Sequence, residues 1–278
     1  MRLTTLTLAA ATLLSVASAH AADSNKDIAK AALNAIFVDH DAQAATNLLA
    51  EDYIQHNPYV PTGAAPIIGF IPKLKKSGMT PTIHRVIAED DLVVLHITYD
   101  NAQPAGADTL VAFDVFRIEE GKVAEHWDNL EPKTAPNPSG HSQTDGATEI
   151  TDLDKTAANK ALVVDFLETV LKNGDASNVT DFISAETYIQ HNSNIGDGLD
   201  GLGAALKAMA EQGITVKYDK IHLVVAEGNF VFAASEGHLG GKPTAFFDLF
   251  RVEEGRIVEH WDTVSEIPAE MAHANGKF

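Results

Sequence analysis

Cysteine is absent from the 278 residues. That excludes a disulfide framework, a thiolate nucleophile and any thiolate metal site, and it leaves burial to hold the fold together. Cationic side chains are scarce as well: 20 Lys and Arg stand against 39 Asp and Glu, a formal net charge of −19. Nucleic acid needs a basic stripe along its phosphates, and an anionic bilayer attracts basic clusters, so neither partner is expected. Past the first residues the chain also lacks any apolar run of the roughly 20 residues that a bilayer-spanning helix needs.

What is present begins with a targeting pattern. Arg2 precedes the apolar run Leu3 to Val16, and Ala19-His20-Ala21 offers a small-x-small cleavage site ahead of Ala22-Asp23-Ser24. Residues 1–21 are therefore expected to be a signal peptide cut after Ala21, giving a periplasmic or secreted protein. An uncleaved anchor or a buried helix is the competing reading.

The rest of the chain says nearly everything twice. Tyr53-Ile54-Gln55-His56-Asn57 returns as Tyr188-Ile189-Gln190-His191-Asn192. The segment from Phe113 to Asp128, ending Glu125-His126-Trp127-Asp128, returns from Phe247 to Asp262, ending Glu259-His260-Trp261-Asp262. Between them, Ile83-His84-Arg85-Val86-Ile87-Ala88-Glu89 matches Ile221-His222-Leu223-Val224-Val225-Ala226-Glu227. One motif order used twice is duplication of a domain, because solenoid repeats have far shorter periods. The expected division is 22–132 and 153–270 for the two domains, 133–152 for a Pro-rich linker without apolar periodicity, and 271–278 for a tail.

Within each half, apolar residues at three- and four-residue steps predict helices over 26–38 and 155–172, shorter ones over 42–50 and 177–184, and a third over 66–76 and 199–211 closed by Gly78 and Gly213. Alternating β-branched and aromatic residues predict four strands after them. Helices followed by an antiparallel meander define an α+β fold, with helices packed on one side of a curved sheet.

The last hairpin can be registered from its turn. A three-residue loop Glu119-Glu120-Gly121 keeps Glu120 out of the left-handed region and pairs Ile118 with Lys122. Counting back sets Asp114 opposite His126, with Phe116, Ala124 and Asp128 on the same face, and Asp248 opposite His260, with Phe250, Val258 and Asp262. The other face carries Phe113, Val115, Val123 and Trp127, matched by Phe247, Leu249, Ile257 and Trp261. An apolar outer face suits contact between the two repeats, while the inner face lines a cavity.

These motifs resemble SnoaL-like proteins of the nuclear-transport-factor-2-like superfamily over nearly all of each repeat. The resemblance implies a cone, a bent antiparallel sheet wrapped on N-terminal helices around a deep pocket. It also implies pairing through the sheets, here within one chain as an intramolecular pseudo-dimer. Members include polyketide cyclases that close a ring by aldol condensation with an Asp acid/base, and relatives include isomerases, dehydratases and epoxide hydrolases. No metal or other cofactor is implied.

The candidate catalytic groups are Asp114 and His126 in the first repeat, and Asp248 and His260 in the second. His56, Asn57, His84, His96, Phe116 and Asp128 are expected to line the first pocket. His191, Asn192, His222, Phe250 and Asp262 are expected to line the second. The Asp would take a proton next to a carbonyl, the His would orient it or relay the proton, and His56 or His84 would donate to the enolate oxygen. Two other readings share the pocket: a binding module for a small carbonyl compound, and a metal site of His56, His84, His126 and Asp114, for which no helical H-x-x-x-H spacing exists. His96 aligns with Ala234 and Tyr99 with Gly237, so a decayed pocket is expected to be the second.

Overall fold

The structure is a computed structural model and describes residues 24–278. The expected signal peptide lies outside them. Helix α1 (24–37) buries Ala29, Ala32, Leu33 and Ile36, one stripe at helical spacing. Helix α2 (Ala42–Leu48) is capped by Asp41, whose carboxylate accepts from the backbone N–H groups of Gln43 and Ala44. Strand β1 (Leu49–Gln55) and helix α3 (Ala64–Ser77) follow, α3 ending on Gly78 at φ 71°, where a left-handed residue is needed. Strands β2 (Thr80–Glu89), β3 (Leu92–Asp100), β4 (Thr109–Glu119) and β5 (Lys122–Pro132) complete the half. They form one sheet in the order β1-β5-β4-β3-β2, antiparallel except that β1 runs parallel to β5.

The second half repeats this plan. Helix α4 (Thr156–Phe166) continues as a π-helical stretch, Leu167–Lys172, before β6 (Ile189–Gln190) and α5 (Gly198–Glu211). Strands β7 (Val216–Glu227), β8 (Phe230–Leu239), β9 (Lys242–Glu253) and β10 (Arg256–Glu266) give the order β6-β10-β9-β8-β7. The helix expected over 177–184 is reduced to one 3-10 turn, Val179–Asp181. Asp175 there accepts from the Ser177 N–H and Ser184 Oγ from the Thr187 N–H, local bonds that compete with helix.

Period-two alternation gives each sheet two faces. Leu95, Ile97 and Tyr99 of β3 face the helices and pack with Ala32, Leu33 and Ile36 of α1. Val94, Phe113, Val115 and Trp127 face away, in one cluster with Phe230, Phe232, Phe247, Leu249 and Trp261 of the second half. The Phe113 and Phe232 rings lie 5.5 Å apart. The ends of β2 and β7 exchange bonds reciprocally: Glu89 accepts from the Ala226 N–H at 2.9 Å, and Glu227 from the Ala88 N–H at 2.8 Å. Lys160 pairs with Glu89, and Lys26 with Glu227.

The hairpin turn differs from the sequence expectation. Glu119 pairs with Lys122, leaving a two-residue turn with Glu120 at φ 51° and Gly121 at φ 75°, and the copy repeats it with Glu254 at φ 50°. The primed turn matches strand twist closely enough to hold a non-glycine residue in the left-handed region. A bulge then follows, because Ile118 pairs with Val123 but Arg117 with Glu125, and Val252 with Ile257 but Arg251 with Glu259. The extra residues, Ala124 and Val258, return the alternation to its expected phase. Asp114 is therefore opposite Asp128 and Phe116 opposite His126, two residues from the expected register but on the expected face. Val123 and Ile257, before the bulge, fall on the inner face instead, in the core clusters of their own halves.

The segment 133–152 is tied down along its length. Asn137 donates to the carbonyls of Gln190 and Ile195, and Ser142 offers its carbonyl to His191 Nδ1. Gly146, at φ 94°, passes so close to His191 and Glu259 that a Cβ would sit 2.8 Å from His191 Nε2. The tail makes the matching crossing in the other direction: Ala272 N–H donates to the Pro58 carbonyl, Asn275 to the Gln55 carbonyl, and Gly276 offers its carbonyl to His56 Nδ1. Each half therefore sends its C-terminal strap over the other.

Candidate active site

A cavity of about 880 Å³ opens inside the first cone. Leu33 and Ile36 of α1, Ile67, Phe70 and Leu74 of α3, and Met79 give it apolar walls. Asp114 and Phe116 on β4, and His126 and Asp128 on β5, supply a polar floor because these inward positions are neighbours on adjacent antiparallel strands.

His126 Nε2 lies 3.3 Å from Asp114 Oδ1, and His126 Nδ1 lies 2.9 Å from Gln55 Oε1. Gln55 Oε1 also accepts from the backbone N–H groups of His56, at 2.9 Å, and Asn57, at 2.8 Å. Two backbone donors fix which end of that amide is oxygen, so His126 Nδ1 must carry a proton. The proton shared by Nε2 and Asp114 Oδ1 is then the movable one: an imidazolium beside a carboxylate, or a neutral ring beside an acid. Burial disfavours a charged ring, but the Asp114 hydrogen bond, aided by the charges of Asp128 and Asp114, outweighs it and holds His126 above the ordinary imidazole range. Tyr99 Oη donates to Asp114 Oδ2 at 2.6 Å, and burial first, then the Asp114 charge, pushes that phenol well above its usual range. Asn57 Nδ2 donates to Asp128 Oδ2 at 2.6 Å.

The second half builds the same floor. His260 Nε2 lies 3.1 Å from Asp248 Oδ1, and Nδ1 lies 3.0 Å from Gln190 Oε1, which again accepts from the N–H groups of His191 and Asn192. Asn192 Nδ2 donates to Asp262 Oδ2 at 2.7 Å, and Phe250 stacks on His260 with centroids 4.8 Å apart. His260 is also raised, the Asp248 bond outweighing burial, and burial raises Asp262. In each half an oxygen of either carboxylate and a ring nitrogen of the histidine lie within 4.8 Å of one another, so the three groups share one proton-exchange centre. In the first half Lys277 Nζ stands 3.8 Å from Asp128 Oδ1.

The second site keeps its phenol. Tyr218 Oη donates to Asp248 at 3.2–3.3 Å, and Tyr218 sits on β7 opposite Gly237, the residue aligned with Tyr99. A side chain at Gly237 would run into the Lys217 carbonyl at 1.9 Å. The tyrosine has moved one strand sideways, which corrects the expectation that the second pocket lost it.

Five further expectations are corrected. His56 and His191 are excluded from the floor by the same alternation that places Gln55 and Gln190 there. His56 lies on Trp127 with ring centroids 5.0 Å apart and reaches Glu125 at 2.8 Å; His191 lies on Trp261 and reaches Glu259 at 2.9 Å. His84 and His222 are the extra residues of matched β-bulges, between Ile83 and Arg85 and between Ile221 and Leu223, which turns them from the cavity. His84 meets Thr98, and His222 stacks on Phe278. His96 is outward on β3, between Phe113 and Arg85. The groups missed in the sequence are Gln55, Gln190, Tyr53, Tyr188, Tyr218 and Lys277. The glutamines carried a signal, since they stand in both copies of the five-residue motif.

Two tandem cones, each with a buried Asp-His-Gln cluster and the first with a cavity above it, define a duplicated α+β protein. The profile of the SnoaL-like domain matches residues 30–126 and 163–260, and the chain belongs to that family. No curated protein matches it. Among solved structures it is similar to TsrD from Streptomyces laurentii, 22% identical over 39% of this chain and 89% of that one, TM-score 0.34. It is also similar to a LEH-like epoxide hydrolase of M. tuberculosis, 16% identical over 40% and 84%, TM-score 0.34. A third is an NTF2-like protein of unknown function from Cytophaga hutchinsonii, 15% identical over 38% and 89%, TM-score 0.32.

Proposed function

We propose that the protein is an acid/base enzyme acting next to the carbonyl of a small, largely apolar compound, by aldol condensation, isomerisation or dehydration. The observation that carries the reading is the Asp–His pair whose outer imidazole nitrogen is locked as a donor by Gln55. Locking one nitrogen leaves a single proton to move between His126 Nε2 and Asp114 Oδ1, at the polar end of an apolar cavity. Asp114 takes the α-proton, His126 stabilises the resulting charge, and Tyr99 orients the carboxylate. Asn57 and Asp128 complete the substrate contacts, with Phe116 against the His126 ring. The reading treats both halves as one functional unit, supported by their reciprocal Glu89 and Glu227 bonds, and places it outside the cytoplasm, supported by the pattern of residues 1–21. A mature N-terminus at Ala22 in a periplasmic extract is the expected mass-spectrometric result.

The test is deuterium exchange at the α-carbon of small ketones. Exchange is expected with the unaltered chain and lost in Asp114→Asn plus Asp248→Asn, with the fold intact by circular dichroism. Unchanged exchange in that folded variant removes the catalytic reading. The cavity's apolar walls favour one alternative, a carrier of small carbonyl compounds, which would raise the unfolding temperature with ligand and exchange nothing.

A further inference from the structure

We propose that Lys277 is the amine of the first cavity, and that its Nζ condenses with the carbonyl of a small apolar ketone or aldehyde to give an enzyme-bound iminium. The proposal rests on the acid/base reading above and names how that site holds its substrate.

Lys277 reaches the cavity because the tail that carries it is fixed at Pro58, at Gln55 and at His56 of the first half. Its side chain lines the cavity with Asp114, His126 and Asp128, and the residue is 6% exposed. Nζ donates to the Asp128 carbonyl at 2.5 Å and stands 3.8 Å from Asp128 Oδ1. An ammonium in such a place is costly, and burial lowers Lys277 from the ordinary lysine range, although Asp128 and Asp114 oppose it. A neutral amine is thus within reach where an exposed lysine stays protonated.

The second half lacks this group. Lys277 follows the carbonyl that meets His56, and the residue that follows the carbonyl meeting His191 is Gln143. Its amide binds the Thr134 N–H and Glu131, and an amide nitrogen forms no imine. The two floors are alike and the straps above them are not, so the halves differ in what they hold.

The step balances without an external oxidant or reductant. The Nζ lone pair adds to the carbonyl carbon, the C=O π pair moves to oxygen, and a carbinolamine forms. The C–O bond then breaks and C=N forms. The departing water takes one proton from the attacking nitrogen and one from His126. Asp114 removes an α-proton from the iminium, whose C=N accepts the electron pair, and hydrolysis later returns the amine.

The experiment treats the full chain with cyclohexanone, acetophenone or benzaldehyde in the presence of cyanoborohydride and maps the adducts by peptide mass spectrometry. Labelling of Lys277 at about tenfold or more over exposed Lys207 is expected, because burial lowers the Lys277 amine and leaves more of it unprotonated. Lys277→Arg keeps the cation but forms no imine, and is expected to lose α-exchange at the first site, read in an Asp248→Asn background. Lys277 labelled no more than Lys207 by all three carbonyls, or full exchange in Lys277→Arg, overturns the proposal. If labelling fails while Asp114-dependent exchange persists, only the iminium is lost. If Lys277 is labelled while Asp114→Asn in the same Asp248→Asn background exchanges normally, the acid/base reading fails instead.

Discussion

A single carboxyl at the border between the halves shows what burial does to titration here. Glu131 ends β5 within the field of Asp262, and burial followed by that charge raises it to about 7 from 4.5. Its folded value exceeds its unfolded one, so between these pH values the folded state binds more protons and stability falls as pH rises. The contribution is complete below about 4.5 and gone above about 7. His126 and His260 act with the same sign, their contribution present below the ordinary imidazole value and lost as pH climbs through the raised folded values. His84, His96 and His222, each lowered chiefly by burial, act with the opposite sign over the same range, so the Glu131 share is read as a difference between two proteins. Relative to the unaltered chain, Glu131→Gln is expected to gain stability from pH 5 to pH 8 by an amount worth on the order of 1–3 kcal/mol, measured by scanning calorimetry across the range. An unchanged slope in the variant would show that Glu131 does not hold the extra proton. At this scale the sequence was half legible. Asp114 and His126 could be paired from strand alternation, but Gln55 could not be given its role. Only folding brings its Oε1 to two backbone N–H groups and a ring nitrogen at once.

Among the elements, the closing hairpin carries the clearest local strain. Glu120 and Glu254 occupy φ near +50°, a region that costs a non-glycine, non-asparagine residue about 1 kcal/mol. Both side chains are exposed, so replacement removes no buried contact. Glu120→Asn with Glu254→Asn is expected to raise stability by roughly 0.5–1 kcal/mol per site, seen as a higher denaturant midpoint with unchanged slope. A lower midpoint would mean that the turn is not type I′. The same hairpin explains why its faces were readable while its register was not. A tighter turn advances the pairing by one residue, and the bulge at Ala124 advances it by one more. Two shifts of one restore the parity that decides which side chains point inward. Turn energetics favoured the looser loop locally, and the twist of two long strands overrode that preference. The matched histidines mislead for a related reason: His84 and His222 recur in register because the bulges recur, not because a pocket needs them.

Over the whole molecule, the largest buried aromatic set belongs to neither half alone. Phe113 and Phe232 meet at 5.5 Å, and Phe230 and Phe247 join them beside both tryptophans, all but Trp127 nearly or fully excluded from water. The two straps add to this by crossing in opposite directions, so removing either half would strip a cover from the other. Arg85 makes the coupling concrete. It is buried in the first half, donates to three strap carbonyls between Thr144 and Ala147, and lies 4.1 Å over the Trp261 ring of the second. Neither half could expose that guanidinium's partners without leaving buried donors unsatisfied. Phe232→Ala is therefore expected to cost about 3–5 kcal/mol and to shift one calorimetric transition downward as a whole, not to split off a melting second half. The check is calorimetric: the van't Hoff and measured enthalpies should agree in both proteins. Two separated transitions, with the first half still melting at its original temperature, would mean that the halves fold independently and that the shared cluster only glues finished domains. Agreement would instead make the cone pair the unit on which the first cavity depends, since the strap that carries Lys277 is anchored through the half it leaves as much as through the half it enters.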